Sequence, residues 1–409
     1  PVAISMLAGT FVYYLGSPMP YEIAAQRLFG GLSVFTLLAI PMFILVGAVM
    51  ARGGVADALY GFANSLVGHV RGGLAQVNVL NSVVMGGMTG SSIADASVDS
   101  RVLVPVMEKH GYSRSFATAI SAASGIIAPI LPPGIGMIVY GLVTQGSVGR
   151  LFLGGIVPAI LLAIAMSVTV AVISRRRGFG TAFERQSARQ RSRAFVSALP
   201  ALLMPVILIL GLRGGVFTPT ELSVIAVGYA LLITLVLYRR LRPRDLGAVL
   251  ADAVETSASV MILVGAGLAF GSVLSLERVP HTISTALQSF SQTGILVLIV
   301  INVALLVLGM FVDGLTCVVL FAPVIAATAA GMGWDPTHIG VMVVLNLTIA
   351  GITPPLGVVV LAASQITKVK PADAFRETLP FTLSAIVVLI LVMFVPPIVT
   401  TIPDLIFGS

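Results

Sequence analysis

The sequence predicts an all-α polytopic membrane protein made of two oppositely oriented copies of one unit, each with a re-entrant helical hairpin and a broken transmembrane helix. Three observations predict it: an apolar composition, a repeat at fixed offset, and a one-sided distribution of arginine. The 409 residues are 57% hydrophobic and 10% charged, with a mean hydropathy of +1.06. That much apolar surface needs lipid around it.

Spans of about 20 apolar residues are the usual means of crossing a bilayer, and stretches of this kind run over 32–51, 151–173, 197–212, 221–238, 257–276 and 379–397. Shorter stretches, interrupted by glycine and proline, lie between them. The opening run, 2–15, is too short to span and begins without methionine, so the first helix is expected to lack its start. It also lacks the basic start and cleavage site of a signal peptide.

The repeat is read from three dipeptides on one register. Gly87-Met88 returns as Gly309-Met310, Gly111-Tyr112 as Gly333-Trp334 and Pro132-Pro133 as Pro354-Pro355, each 222 residues on. Upstream, Ile44-Leu45-Val46-Gly47-Ala48 returns unchanged as Ile262-Leu263-Val264-Gly265-Ala266, at an offset of 218 that a four-residue insertion reconciles. Matching interruptions in two halves of a membrane chain point to a transporter's binding site.

Charge gives the orientation. Arg175, Arg176, Arg177, Arg185, Arg189, Arg191 and Arg193 crowd one loop, and Arg239, Arg240, Arg242 and Arg244 crowd another two spans later. The positive-inside rule places both in the cytoplasm. The first repeat's connections carry Arg52, Arg71, Arg101, Lys109 and Arg114, whereas Val279 through Thr367 contains no lysine or arginine. The copies therefore face opposite ways, and five crossings between equivalent points agree with that.

Each copy then shows the same two irregular elements. Residues 73–108 are apolar at both ends around MGGMTGSSIADAS, which puts Thr89, Ser91, Ser92 and Asp95 in a glycine-rich turn; the second copy has GMFVDGLTC, with Asp313 and Thr316, inside 294–330. Two half-length helices with a polar tip make a hairpin, and non-helical backbone at membrane depth needs protein or a watery cavity around it. A carboxylate there costs roughly 2.5 to 3.5 kcal/mol on insertion scales. Asp95 and Asp313 have two compatible roles: ligand binding, or capping the second half-helix.

After each hairpin a helix breaks at a Pro-Pro pair, in SGIIAPILPPGIG at 124–136 and NLTIAGITPPLG at 346–357. Proline removes a donor and clashes with the preceding turn, so carbonyls are freed at the break. Carbonyls with Ser/Thr hydroxyls suit a small hard cation, and half-helix N-termini at the tips suit an anion. Before each hairpin runs an amphipathic segment, Val55, Leu59, Phe62 and Leu66 in one copy and Ile283, Ala286, Leu287 and Phe290 in the other, expected along the interface.

Other chemistries are excluded by what the chain lacks. Cys317 is the one cysteine, so there is no internal disulfide. The net charge of +7 sits in short loops without interleaved aromatics, which excludes a nucleic-acid partner. No HExxH, GxGxxG, phosphate-loop or GxSxG motif occurs, and His69, His110, His281 and His338 fall near predicted loops. The chain therefore reads as no enzyme and as needing no organic cofactor. Gly267 and Gly271 have the spacing of a helix-packing pair.

The runs AQRLFGGLSVFTLLAIPMFILVGAVMARGGVADAL, GGMTGSSIADAS, ASGIIAPILPPGIGMIVYG, GMFVDG and NLTIAGITPPLGVV, in this order over essentially the whole chain, resemble the large membrane subunit of tripartite ATP-independent periplasmic (TRAP) transporters. The resemblance implies a multi-pass permease of the bacterial inner membrane, with sodium as coupling ion and an organic anion as substrate. A periplasmic binding protein and a small membrane subunit, expected as another chain, would be its partners. It further implies an elevator architecture. On that reading 1–72 holds scaffold helices and an interfacial arm, 73–150 the first half of a transport domain, and 151–290 further scaffold helices, basic loops and a second arm. Residues 291–370 hold the second half, and 371–409 a C-terminal transmembrane helix.

Carried over by motif, sodium ligation falls to Ser91, Ser92 and the backbone of Ser124, Gly125 and Pro129 in one half, and to Asp313, Asn346, Gly351 and Thr353 in the other. Substrate falls between the tips, at Thr89, Ser91, Ser92, Asp95, Asp313, Thr316 and Thr353. The chain departs from the family pattern at Ile126, Gly134 and Gly314, where threonine, serine and proline are often found. Loss of the two hydroxyls shifts the expected first-half site onto carbonyls. The rival expectations are a self-sufficient sodium-dicarboxylate symporter or proton antiporter working without a binding protein, and a non-transporting scaffold subunit, which has no use for polar tips.

Overall fold

The computed structural model describes residues 2–20, 22–179, 183–212, 217–290 and 294–408, leaving aside the side chains of 284 and 287–290, and the described chain contains helices and turns with no strand. Nineteen α-helices are described in this order: α1 (Val2–Gly16), α2 (Glu22–Leu32), α3 (Ala39–Arg52), α4 (Val55–Val67), α5 (Gly73–Thr89), α6 (Ser92–Lys109), α7 (Arg114–Gly125), α8 (Ile135–Val143), α9 (Val148–Arg177) and α10 (Ala188–Leu212). There follow α11 (Pro219–Leu232), α12 (Leu246–Leu276), α13 (Val279–Phe290), α14 (Gly294–Gly309), α15 (Gly314–Met332), α16 (Pro336–Ala350), α17 (Val358–Thr367), α18 (Pro371–Phe394) and α19 (Pro397–Phe407). Seven described helical segments are long and apolar enough to cross a membrane.

Local chemistry sets most of these boundaries. Ser113, Ser147 and Asp335 cap α7, α9 and α16 by accepting from backbone amides of the first turn, and Thr218 with Glu221 forms a capping box at α11. Gly178 and Gly333 end α9 and α15 in left-handed conformation. The offset of the sequence repeat carries through: α6 starts at Ser92 and α15 at Gly314, α7 at Arg114 and α16 at Pro336, each pair 222 residues apart. Both hairpins and both broken helices thus recur in register.

The helices sort into two packed groups. In one, α1, α2 and α3 lie on α12, with α11 on α3 and α10 on α4. In the other, α6 packs on α7 and α17, α15 on α16 and α8, and α9 touches α5, α8, α16, α18 and α19. Arg150 of α9 pairs with Asp404 and donates to the Gly408 carbonyl at 2.7 Å; Arg177 at its other end pairs with Glu377 of α18 at 2.7 Å and lies 5.6 Å above the Phe116 ring of α7. The helix α9 is therefore fixed to the second group at both ends. The arms differ in partner: α4 lies against α5 and α10, and α13 against α15.

Several sequence expectations change in detail. The apolar run 379–397 belongs to a helix that starts at Pro371 and ends at Phe394, where Pro396-Pro397 starts the separate α19. Apolarity marks only the lipid-length part of a helix whose first two turns are polar. The run 32–51 opens with a 3-10 turn over Phe35–Leu38, and α2 has no counterpart among the expected spans. Val55 and Leu59 are buried as their spacing implies, while Leu66 is exposed; Leu287 and Phe290 lie outside the described side chains. Gly267 faces Val319 of α15, but nothing approaches Gly271. His338 lies in the first turn of α16, beside the loop as expected, its Nε2 2.8 Å from the Val392 carbonyl.

Candidate functional site

The first hairpin turns over very few residues. The helix α5 ends at Thr89, Gly90 takes φ +59°, and Ser91 caps α6 by accepting from the Ala94 amide at 3.4 Å. Asp95 is therefore not part of the turn and does not cap: it sits one turn inside α6, fully buried. The short hydroxyl at Ser91 reaches the free first-turn amides, and the carboxylate expected there points elsewhere. In the second hairpin the expectation of a capping carboxylate holds, because Asp313 immediately precedes α15 and accepts from the amides of Leu315 at 3.0 Å and Thr316 at 3.4 Å.

The broken helices face these tips. One stops at Gly125 and resumes at Ile135, the other at Ala350 and Val358, with cis bonds at Pro132-Pro133 and Pro354-Pro355. The Gly90 carbonyl accepts the Ile135 amide at 3.2 Å, joining the first tip to the start of α8. The freed carbonyls are fewer than the sequence implies: those of Ser124 and Gly125 accept from Ile127 and Ala128 at 3.0 and 3.2 Å, and that of Gly351 from Val359 at 3.0 Å. Tight turns re-satisfy backbone after a proline break, as buried positions require.

Tips and breaks border a half-open cavity of about 110 Å3. Ser91, Ser92, Pro129, Asp313 and Gly351 border it, so five of the expected site residues are brought together. The first turns of four helices also border it, through Ile93 of α6, Ile135 of α8, Leu315 of α15 and Val358 of α17. First-turn amides have no intrahelical acceptor, and each helix start carries a partial charge of about +0.5. No lysine, arginine or histidine lines the cavity among the described residues. The helix starts supply positive partial charge, opposed by the Asp313 carboxylate, and the amides of Ala94, Ile135, Leu315, Thr316 and Val359 already donate to protein acceptors.

Thr89, Asp95, Ser124, Gly125, Thr316, Asn346 and Thr353 stand outside the lining. The Thr353 hydroxyl donates to the Ile349 carbonyl at 2.8 Å, and Thr316 lies buried in the first turn of α15. Thr89 Oγ1 is buried without a partner among the described residues. Gly125 packs against the Ser92 carbonyl and Ala96.

Behind each tip lies a polar network that reading by motif missed. In the first half Asp99 accepts from Asn81 at 2.6 Å and Ser82 at 2.9 Å, Ser82 lies 2.9 Å from Ser124, and Ser124 lies 2.8 Å from Asn78 Oδ1. The hydroxyl of Ser124 is thus held among protein groups. Asp95, one helical turn before Asp99, lies buried near the Ser82 hydroxyl, and neither of its carboxylate oxygens has a partner at full hydrogen-bond geometry among the described residues. In the second half Asn346 Nδ2 donates to both the carbonyl and the Oδ1 of Asn302, each at 2.9 Å, and Asn346 Oδ1 is buried without a described partner. The signal was present as spacing: Asn78, Asn81 and Ser82, or Asp95 and Asp99, share a face at helical intervals.

Comparison with known proteins places this arrangement. The family model described as the tripartite ATP-independent periplasmic transporter, DctM component, matches residues 1–398. The sialic acid TRAP transporter large permease protein SiaM of Vibrio cholerae is 34% identical over 100% of this chain and 96% of its own length. The C4-dicarboxylate TRAP transporter large permease protein DctM of Pseudomonas aeruginosa is 33% identical, covering 97% and 93%. The 2,3-diketo-L-gulonate large permease protein YiaN of Escherichia coli is 34% identical, covering 98% and 94%. Among solved structures the Alcanivorax borkumensis YdaH transporter aligns with a TM-score of 0.68 over 97% of this chain and 98% of its own, at 12% identity, a likeness of fold. A family match over nearly the whole chain, with full-length relatives, makes this inner-membrane, multi-pass protein a member of the DctM family, the large permease component of TRAP transporters.

Proposed function

We propose that the chain is the permease subunit of a sodium-driven importer that takes an organic acid from a periplasmic binding protein, works with a small membrane subunit, and moves its cargo by an elevator motion. The observation that carries this reading is the cavity shared by both hairpin tips and four helix starts. Such a site favours an acid group through backbone amides. The names of the relatives, which refer to sialic acid, a C4-dicarboxylate and 2,3-diketo-L-gulonate, support an organic acid as cargo.

Sodium is assigned to oxygen atoms beside that cavity. In the second half Asp313 borders the cavity, and Asn346 offers a buried Oδ1 while its amide nitrogen is held by Asn302; the Gly351 carbonyl and Thr353 complete the proposed set. In the first half Ser91, Ser92 and the Pro129 carbonyl are the candidates at the cavity wall, with Ser124 and Gly125 behind them. Hard cations take such oxygen sets. Asn302 then acts as a positioning residue. Asn302→Ala is expected to raise the sodium concentration for half-maximal uptake by about tenfold, the usual scale for removing an outer-shell partner, with little change in maximal rate. A sodium titration of uptake by the variant checks this.

The moving body is proposed to comprise α5 to α9 and α14 to α19, carried against α1–α3 and α10–α12. This division differs from that expected from the sequence in placing α9, α18 and α19 with the hairpins; Arg150 and Arg177 fasten α9 to α19 and α18. Proteoliposomes holding the permease with its small subunit test the whole reading. Accumulation of acid should require both an inward sodium gradient and the binding protein. Accumulation that persists without the binding protein, or after the gradient is collapsed, would overturn it in favour of a self-sufficient carrier or another coupling ion.

A further inference from the structure

We infer that the cytoplasmic ends of α9 and α10 form a binding surface for the headgroups of anionic phospholipids. The surface depends on the chain's place in the membrane and on none of the ion or cargo assignments above. Arg175, Arg176, Arg177, Arg185, Arg189, Arg191 and Arg193 fall within 175–193, and Glu184 is the one acid among them. Arg177 is engaged by Glu377, and Arg191 donates to the Gln186 carbonyl at 3.1 Å. Arg175, Arg176, Arg185, Arg189 and Arg193 are exposed and form no ion pair among the described residues. Positive charge is left over at this edge.

The helical register of these arginines says which anion they meet. On α9, Ile160, Ile164, Val168 and Val172 are exposed at steps of four, and Arg176 is the next member of that row, with Arg175 beside it. On α10, Leu210, Leu203 and Val196 are exposed at steps of seven; Arg189 is the next member, and Arg193 lies one turn from Val196. Such steps keep residues on one face of a helix. An exposed apolar row on a spanning helix lies against acyl chains. At roughly 1.5 Å per residue, Arg176 stands about 6 Å beyond Val172 and Arg193 about 4.5 Å beyond Val196. That is where headgroups begin.

A guanidinium fork pairs with phosphate through two parallel hydrogen bonds. A free phosphate would meet the arginines but make no use of the apolar rows below them, whereas a phospholipid engages both. Net negative lipids are favoured further, because basic clusters beside the cytoplasmic end of a span are drawn to anionic leaflets. The base under the cluster is already ordered. Phe179 packs on Tyr112 and Phe116, with ring centroids 4.5 and 5.3 Å away, Phe183 lies 5.2 Å from His110, and Phe195 of α10 lies 5.7 Å from Phe62 of α4. Little ordering of the chain is left to oppose binding.

The test titrates the permease with its small subunit, in detergent, with dioctanoyl phosphatidylglycerol, dioctanoyl phosphatidylcholine or inorganic phosphate, and follows the thermal midpoint. Phosphatidylglycerol should reach half-maximal stabilisation at least about tenfold below phosphatidylcholine, since each arginine at an anionic surface contributes about fivefold. Arg175→Gln, Arg176→Gln, Arg189→Gln and Arg193→Gln together should bring the two lipids within about twofold of each other. Each helix's pair of substitutions alone should remove part of the difference, which keeps the test open if the fourfold variant fails to fold. Arg27→Gln with Arg278→Gln is the control: both side chains are exposed, at the end of α12 opposite Arg242 and Arg244, and the lipid ratio should stay. The inference is overturned by equal responses of the parent protein to the two lipids, by a fourfold variant that keeps the ratio, or by phosphate acting at the same concentration as phosphatidylglycerol. Loss of the small subunit from the fourfold variant would give this face to that partner and overturn it too. No sodium or uptake enters these readouts, so failure of the transport reading is told apart from failure here.

Discussion

Gly90→Ala is expected to reduce uptake by about a hundredfold while leaving the protein in the membrane. Gly90 has φ +59°, where an L residue pays roughly 1 to 2 kcal/mol. A Cβ at this position also overlaps the Pro133 carbonyl and meets the Ile135 amide. Both are backbone atoms, which cannot rotate away, and forced displacement in a packed site costs typically 1 to 3 kcal/mol. The strain has to be relieved by separating the first tip from the start of α8, which breaks the Gly90–Ile135 hydrogen bond and opens the cavity wall. Gly111→Ala is the matched control: its φ is also positive, at +84°, but nothing lies within 4 Å of the added carbon. Uptake by Gly111→Ala should stay within about threefold of the parent, because backbone strain of about 1 to 2 kcal/mol at that position lowers stability without disturbing the cavity wall. Equal losses in the two variants would show that conformation alone, and not the junction with α8, sets the phenotype.

Asp313→Ala is expected to abolish sodium-driven uptake, and Asp313→Asn to separate the two duties of the side chain. The carboxylate caps α15 through two amides and also borders the cavity. Loss of the cap costs about 1 kcal/mol, which lowers thermal stability modestly. Loss of the charge from the proposed ion site should remove activation by sodium. Asparagine can still accept from Leu315 and Thr316, so its thermal midpoint should return close to that of the parent while uptake stays near background. Thermal scans and sodium-dependent flux on the same preparations decide it. Retained uptake in Asp313→Asn would assign the residue to capping alone.

Those two residues also illustrate what was legible before any coordinates. The repeat offset placed both tips and both breaks correctly, because proline pairs and glycine-rich turns impose backbone geometry from local sequence alone. Asp313 read as a capping carboxylate for the same reason. Asp95 falls outside the turn because α6 starts at Ser92, a full helical turn earlier than a capping role for Asp95 requires, and the motif does not mark that start. The networks around Asp99 and Asn302 were not visible to motif reading, as they join residues on neighbouring helices whose facing only packing fixes. Placing α9 needed Arg150 and Arg177, whose partners Asp404 and Glu377 lie 200 or more residues away. A run of leucine, isoleucine and valine says that a helix meets lipid, but not which neighbours it travels with.

The convergence of helix starts from both halves has a consequence for flux. Because α6 and α8 come from one copy and α15 and α17 from its inverted twin, the chamber offers a visiting acid similar backbone donors whether it enters from outside or inside. Such a vestibule is an impartial turnstile. On the proposed sodium coupling and binding-protein delivery, net direction comes from the ion's concentration difference and from one-sided delivery, so reversing the former in the absence of the latter should let the same machinery run as an exporter.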